Sequence, residues 1–502
     1  MTDKIIFWLD SALLSYCLSY YLQKMHDSEL YAIIDITNKT KSFFQKQDLV
    51  EFKKKWFYFD NVFPKNNLDK DYLEKFEKKY EINLWQLAIN ERFFYKYNSY
   101  YKFSDEEILS ILEQECKLFE NIITEAKPDF FITKETIQHK DYLFSELCKK
   151  NGITVLTLHE SLLGYRSAIS QESHTFDFVD NLQNTEYLHE DFKSIQEFLK
   201  SFNKSKQVND YKDDYISSRL KRIQAARSFL FSKNDNEHTH FTYYGRTKHK
   251  VLFNELKTSL AKKRRKNFID KNFLYDFNKE HPFIYFPLSI DQERSLLLAA
   301  PYFTNQTEII RHIVKSLPVG YKIFVKEHPH QVFRNWRTIE EYKEIMGIPN
   351  VHLIHPSVNP KKLYDSASLV ISVGGTSGFD AAVHGKPTII FSDYGYKILS
   401  SVYRVEKIED LPKIIINALK KSVDPRDVSK YVNLLVSNSF DFDLYQYYID
   451  EFNHFFFGGN LADVEIPIEK MKIFLEKNKL VLEKLSNEHI KKIQQFKQSN
   501  KS

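Results

Sequence analysis

Cysteine is scarce. Cys17, Cys116 and Cys148 are the only three in 502 residues, and no two of them form a Cys-x-x-Cys pair. Such a set argues against a disulfide framework and against a thiolate zinc site, and it fits a reducing cytosol. An excess of charge of one sign is also missing. Lys and Arg number 72 against 67 Asp and Glu, a net charge of +5 that gives no ground for a nucleic-acid partner. No apolar run reaches the roughly 18 residues expected of a spanning helix. The run Ile5-Ile6-Phe7-Trp8-Leu9, closed by Asp10, is too short for the apolar region of a secretion signal. No self-similarity at solenoid periods is visible. The expected setting is the cytoplasm.

What is present is a globular composition, 42% hydrophobic and 28% charged, over a length that suggests two or three domains. Phe and Tyr are abundant, at 42 and 31. Lys, Asn and Ile are abundant as well, so an AT-rich genome explains the aromatics better than a dedicated sugar-binding surface does.

The chain opens as strand, helix, strand. Ile5 to Leu9 reads as a buried parallel strand, Ser11 as the cap of a helix with Leu14, Cys17, Leu18 and Tyr21 on one face, and Tyr31 to Ile34 as a second strand. Residues from about 40 to 125 read as a helical elaboration. Pro128 to Thr133 and Gly152 to Leu156 are further strands around a helix through Tyr142, Leu143, Leu147 and Cys148. Ligands of such sheets lie beyond the carboxyl ends of the strands, which places Thr133, Glu135 and a loop His159-Glu160-Ser161 near a cleft. The segment from about 175 to 275 is charged and helix-prone. Its basic run Lys262-Lys263-Arg264-Arg265-Lys266 is either a solvated helix face or a contact for an anionic membrane surface or charged glycan. A second alternation of strands and helices starts near Pro282, with strands at 283–286, 321–325, 351–354, 369–373 and 387–391. The stripe Met471, Leu475, Leu482 and Leu485 predicts a packed C-terminal helix.

Three motifs fall at strand ends of this second set. Val373-Gly374-Gly375-Thr376-Ser377-Gly378 follows a buried strand and opens a helix. Glycines admit a ligand close to the backbone, and N–H groups at a helix start favour a phosphate, with Thr376 and Ser377 as added donors. A tight turn with a capping Thr or Ser would look the same. The loop is neither a Walker A sequence nor Gly-x-Gly-x-x-Gly. Val325-Lys326-Glu327-His328-Pro329 ends another strand, so Lys326 and His328 point to one side and Glu327 to the other. Lys326 and His328 would hold a phosphate leaving group and His328 would protonate it, unless the His is structural. After Phe286-Pro287, Asp291 and Glu293 are either a base or nucleophile, or acids at a helix N-terminus.

From about Tyr285 to Tyr396 the sequence resembles the capsule polysaccharide biosynthesis protein family, which includes bacterial Kdo transferases of the GT-B fold. The matching pieces are Phe286-Pro287-Leu288 with Glu293-Arg294-Ser295, Leu317-Pro318, and Val325-Lys326-Glu327-His328-Pro329. They continue with Asn350-Val351 before Leu353-Ile354, Gly375-Thr376-Ser377-Gly378, and Gly385-Lys386-Pro387. The resemblance implies an α/β fold of the GT-B kind, a pair of doubly wound Rossmann-type domains facing a cleft, with helical elaborations. By analogy His328 with Pro329 corresponds to the His-Pro motif of transferases that use CMP-activated acidic sugars. Thr376 and Ser377 would meet the nucleotide phosphate. Glu293 lies where related Kdo transferases place a catalytic acid, commonly Asp.

These readings give an expected organisation of three parts: residues 1–275, an α/β acceptor-side domain with helical insertions; 276–425, an α/β nucleotide-sugar domain; and 426–502, a helical segment. The expected activity is glycosyl transfer from a nucleotide-sugar donor, CMP-linked (Kdo or another acidic sugar) rather than UDP-linked, to a glycan or glycolipid acceptor of a surface polysaccharide. No metal or cofactor is expected, and the acidic pair Asp213-Asp214 lies in the charged helical region rather than near a strand end. Glu293, His328 and Asp291 are the catalytic candidates. Lys326, Glu327, Pro329, Gly374, Gly375, Thr376, Ser377 and Gly378 are the nucleotide-binding candidates, and Glu135, His159 and Glu160 the acceptor-side ones. Peripheral contact with the inner face of the membrane would run through the basic segments. A sugar-nucleotide epimerase of the same fold and an inactive scaffold are the rival readings.

Overall fold

The computed structural model describes residues 2–65, 67–179, 182–202, 219–277, 281–328, 331 and 337–499. The chain divides into two units, Met1–Asp177 with Phe202–Lys250 and Asn438–Ser502, and Phe178–Ser201 with Val251–Ser437. The boundaries expected at 275 and 425 do not coincide with this division. The chain returns to its first unit at residue 438, and the segment 178–201 joins the second.

In the first unit, β1 (Asp3–Asp10), β2 (Ser28–Asp35), β3 (Phe52–Phe57), β4 (Phe130–Lys134) and β5 (Thr154–Glu160) are parallel in the order β3-β2-β1-β4-β5. Antiparallel β6 (Arg166–Ser170) and a short strand Phe440–Asp441 extend the sheet beyond β5. The apolar run of β1 is buried on both faces. Ile5, Phe7 and Leu9 point into one core layer, Ile6 and Trp8 into the other. The first layer also holds Leu14, Cys17 and Leu18 together with Met471, Leu475, Leu482 and Leu485, all fully or nearly fully buried. The C-terminal stripe is therefore part of the first unit's core, and Tyr21 donates its hydroxyl hydrogen to the carbonyl of Leu475 at 2.8 Å.

Several local expectations are corrected. Ser11 caps nothing. The helix Leu14–Met25 starts after Leu13 without a side-chain cap, and the turn is held by Asp10, which accepts from the Ala12 N–H at 3.1 Å. The segment 40–125 contains four helices of at least seven residues as expected, but also β3, whose Lys53-Lys54-Lys55 run masks an edge strand; cations are tolerated on edges because one side meets water. β5 runs on through His159 and Glu160, which were expected in a loop, because β6 folds back and pairs with that stretch.

In the second unit, β7 (Phe283–Pro287), β8 (Lys322–Lys326), β9 (Val351–Ile354), β10 (Leu369–Ser372), β11 (Thr388–Ile390) and β12 (Val402–Arg404) form a parallel sheet in the order β12-β11-β10-β7-β8-β9. Read from β9, this is the order 3-2-1-4-5-6 of a dinucleotide-binding Rossmann sheet, with its topological switch between β7 and β10. Ile284 and Phe286 face one core layer, Phe283 and Tyr285 the other. Both units are thus doubly wound α/β structures. Among the described residues no helix is long and apolar enough to cross a membrane.

Candidate active site

Sheet register brings the three motifs to one level. Pro287 of β7 pairs with Lys326 of β8, which pairs with Ile354 of β9. β10 pairs with β7 at Leu369–Ile284 and Val370–Tyr285, so two residues on, Ser372 and Pro287 stand level. The chain leaves the sheet at that level into 288–293, 327–328 and 373–376, flanking the topological switch where ligands of such sheets bind.

The glycine loop is fixed from below. Ser372 donates to the carbonyl of Gly374 at 2.8 Å, and Tyr396, fully buried, donates to the carbonyl of Gly375 at 2.7 Å. Both carbonyls are engaged by the fold, and the helix Ser377–Val383 starts at the next turn. The glycines differ in their reasons. Gly375 has φ +85° with open space where a Cβ would stand, so it is required by backbone conformation. Gly374 is required by packing, since a Cβ there would lie 2.5 Å from Ser392 Oγ and 3.2 Å from the Ser295 carbonyl oxygen. That last approach also brings the loop after β10 against the short helix Arg294–Leu297 that follows β7. A Cβ at Gly378 would lie 2.7 Å from the Tyr396 ring. Thr376 is exposed and Ser377 half-buried, and Thr376 reaches only Asp380, at 3.4 Å, so it makes no side-chain cap.

The strand-end segment of β8 splits by alternation, as its spacing predicts. Glu327 continues the Ile323 and Val325 face and is fully buried. One of its carboxylate oxygens pairs with Arg337 and accepts from the Tyr342 hydroxyl at 2.7 Å; the other accepts from the His328 N–H at 2.8 Å. Arg337, itself 6% exposed, reaches on to Asp291 Oδ1 at 2.9 Å and to the Ser289 carbonyl at 2.8 Å, and Gln306 donates to the same Asp291 oxygen at 2.7 Å. Glu327 and Asp291 hold the guanidinium charged against its burial. Glu327, a nucleotide-binding candidate, is fully buried and paired with Arg337, and Asp291, a catalytic candidate, is paired with the same guanidinium. Both carboxylates support a buried Arg337 that ties the loop after β7 to the end of β8. Arg337 stands 10 residues beyond Glu327, in a stretch without periodicity, and gave no signal of its own.

Lys326 faces the other way, continuing the side on which Phe324 packs with Val370, Tyr364 and Ala381 of the helix after the glycine loop. Lys326 is 2% exposed, and its Nζ has no hydrogen-bond or ion-pair partner among the described residues. Burial pulls its pKa down to about 8, opposed by the charge of Glu327. Unpaired buried ammonium groups are costly, and a ligand anion is the natural counter-charge. His328 is half-buried, its backbone carbonyl accepting from Gln331 at 3.0 Å. Pro329 and the Asp213-Asp214 pair lie outside the described residues. Glu293 is half-buried immediately before the short helix Arg294–Leu297, with no side-chain cap bond.

In the first unit the acceptor-side candidates come together in part. Glu135 pairs with His174 at 3.1 Å, and the rings of His174 and His159 lie 5.0 Å apart. His159 is buried between Ser170 Oγ at 2.9 Å and the Glu160 carbonyl at 3.0 Å, which makes it a brace of the β5–β6 hairpin; Glu160 is half-buried at the end of β5. Thr133 is buried and donates to the Lys134 carbonyl at 3.0 Å. A more polar cluster stands at this unit's own switch point, between β1 and β4. Asp10 pairs with Lys134 at 2.7 Å and Asp35 with Lys140 at 2.6 Å. Glu451, fully buried on the helix Leu444–Phe455, has both carboxylate oxygens without a hydrogen-bond partner, and burial raises its pKa to about 8. This cluster draws on residues more than 400 positions apart, and no local pattern marks it.

Comparison with known proteins bears on the second unit. No curated protein matches the chain in sequence. Among solved structures, the beta Kdo 2,7 transferase of Thermosulfurimonas dismutans KpsC is 11% identical, covering 66% of this chain and 90% of that one with a TM-score of 0.28. Its beta Kdo 2,4 transferase is 12% identical over 60% and 78%, with a TM-score of 0.29. UDP-GlcNAc 2-epimerase from Methanocaldococcus jannaschii is 13% identical over 87% and 99%, with a TM-score of 0.25. Superpositions this loose distinguish neither transfer from epimerisation nor one sugar from another. The family model described as capsule polysaccharide biosynthesis protein matches residues 187–399. That stretch contains all three strand-end motifs, and over it the chain is similar to the capsule polysaccharide biosynthesis protein family.

Proposed function

We propose that the chain is a glycosyltransferase of surface polysaccharide synthesis whose second unit holds a nucleotide-sugar donor at the ends of β7, β8 and β10. The observation that carries this reading is Lys326, a buried cation without a partner at the level of the switch point, on the same face as the helix that follows the glycine loop. Lys326 and the N–H groups of the loop hold the phosphate, with Thr376 and Ser377 adding hydroxyl donors. His328 neutralises or protonates the departing phosphate, and Glu293 acts at the sugar. Asp291, Glu327 and Arg337 keep these loops in place. The preferred donor is a CMP-linked acidic sugar such as Kdo, and the acceptor a glycan or glycolipid. The chemistry needs no metal, since the cations of the site supply the charge. The three buried free thiols suit a reducing cytoplasm.

The test is calorimetric titration of the full chain with CMP, UDP and GDP, followed by incubation with the matching sugar nucleotides with and without a glycan acceptor. Tight binding of CMP and acceptor-dependent release of the nucleotide are expected. Mass-neutral conversion of a UDP-sugar without acceptor would replace the transferase with an epimerase, and no nucleotide binding would end both readings.

A further inference from the structure

Two helices carry large apolar side chains in solvent. On the helix Lys248–Asn272, Leu252, Phe253, Leu256 and Leu260 are all exposed, Phe253 at 71%. Spacing of four residues sets the three leucines in one row, with Phe253 beside it. Lys257, Lys263 and Arg264 stand exposed along the same side and pair with no acid among the described residues. Glu255 is the only acid between residues 248 and 269. On the helix Arg219–Phe231, in the other unit, Leu220, Ile223 and Phe231 are exposed, Phe231 at 84%, and fall on one side with Arg227. That helix has no acid at all. Its opposite side packs inward through Ala225, which is buried.

We infer that each of these helix faces docks on an anionic lipid surface. Apolar side chains of this size gain by entering the boundary between headgroups and acyl chains, and the cations beside them face anionic headgroups, their stems lying along the apolar surface. Charge decides against a second copy as the occupant, because self-association would bring cations against cations with one acid to offset them. The inference is independent of the transfer chemistry, since none of these residues lies at a strand end.

Flotation of the full chain with vesicles tests it. Binding is expected to vesicles of phosphatidylcholine mixed with phosphatidylglycerol, and not to phosphatidylcholine alone. Lys263→Gln and Arg264→Gln should each weaken partitioning about fivefold. The pairs Phe253→Ser with Leu256→Ser, and Ile223→Ser with Phe231→Ser, should each reduce it by more, with melting temperature and nucleotide affinity unchanged because these side chains are exposed. Failure to float, equal flotation on neutral vesicles, or wild-type flotation by the apolar variants would overturn the inference. So would a dimer on size exclusion that Phe253→Ser dissociates, which would make the face an interface between copies.

Discussion

The hydroxyl of Tyr396 donates to the carbonyl of Gly375 at 2.7 Å, from a side chain with no solvent exposure. A buried tyrosine thus sets the conformation of the one residue in the glycine loop with φ +85°. Tyr396→Phe keeps the ring and removes the donor, leaving the carbonyl unpaired. The expected cost is about 1–3 kcal/mol of stability with weaker nucleotide binding. Urea denaturation and calorimetry read the two effects. Unchanged affinity in a folded variant would separate the loop from the ligand.

The C-terminal stripe gives a second prediction. Leu482 is fully buried in the layer shared with Ile5, Phe7 and Leu9. Leu482→Ala should destabilise the first unit by about 2–5 kcal/mol, as deletion of a core leucine does. A loss below about 0.5 kcal/mol, the range of surface substitutions, would show that the helix Lys479–Ser499 is not core.

How much of this was legible differs between elements. Most of the parallel strands in the two sheets are continuous apolar runs or nearly so, and such runs betray their burial on both faces. β3 was hidden by Lys53-Lys54-Lys55, and β6 by having no period of its own until β5 pairs with it. The glycine loop and the Lys326-to-His328 segment were visible because strand ends are local features. Arg337 and Glu451 were not, because what makes each matter is a partner, or the want of one, contributed by a distant segment. The same reasoning explains why Asp291 and Glu327 looked reactive. A sequence shows a carboxylate, but not the guanidinium that occupies it.

Two buried groups, Glu451 and His139, should each make stability fall as pH rises. Burial raises the Glu451 carboxyl from 4.5 to about 8, so its favourable neutral form is fully present below pH 4.5 and is lost as pH rises through about 8. His139 shifts the same way. Although burial disfavours its charge, Glu115 at 2.9 Å and Glu91 at 2.7 Å raise it from 6.5 to about 10, so its contribution is complete below pH 6.5 and lost as pH rises through about 10. Glu451→Gln should remove the part of the decline between about pH 4.5 and 8, seen as a flatter plot of urea midpoint against pH. A profile identical to wild type would mean that Glu451 does not titrate in that range.

His328→Ala tests the leaving-group role. Loss of a donor that acts mainly in the transition state costs about 3–4 kcal/mol, or roughly two to three orders of magnitude in kcat, with the melting temperature little changed. Thr376→Ala should cost less, since backbone N–H groups remain at the helix start. If His328→Ala turned over donor at the wild-type rate, His328 would have no part in the chemistry.

Lys326→Met measures the central claim most directly, because stability and binding should move in opposite directions. Burial lowers the ammonium from 10.5 to about 8, so the folded state pays for protonating it. Stability is present above pH 10.5 and lost as pH falls through about 8. An uncharged methionine of similar length removes that cost, and the variant should melt higher at neutral pH. The phosphate loses its charge-assisted partner, and nucleotide affinity should fall about tenfold to a hundredfold. In the wild type, affinity should also decline as pH rises through about 8, and this dependence should vanish in the variant. Calorimetric titration of CMP into both proteins across this range decides the matter. A more stable variant with weakened, pH-independent binding is the predicted result, and a stable variant that binds nucleotide as the wild type does would contradict the assignment of these strand ends as the donor site.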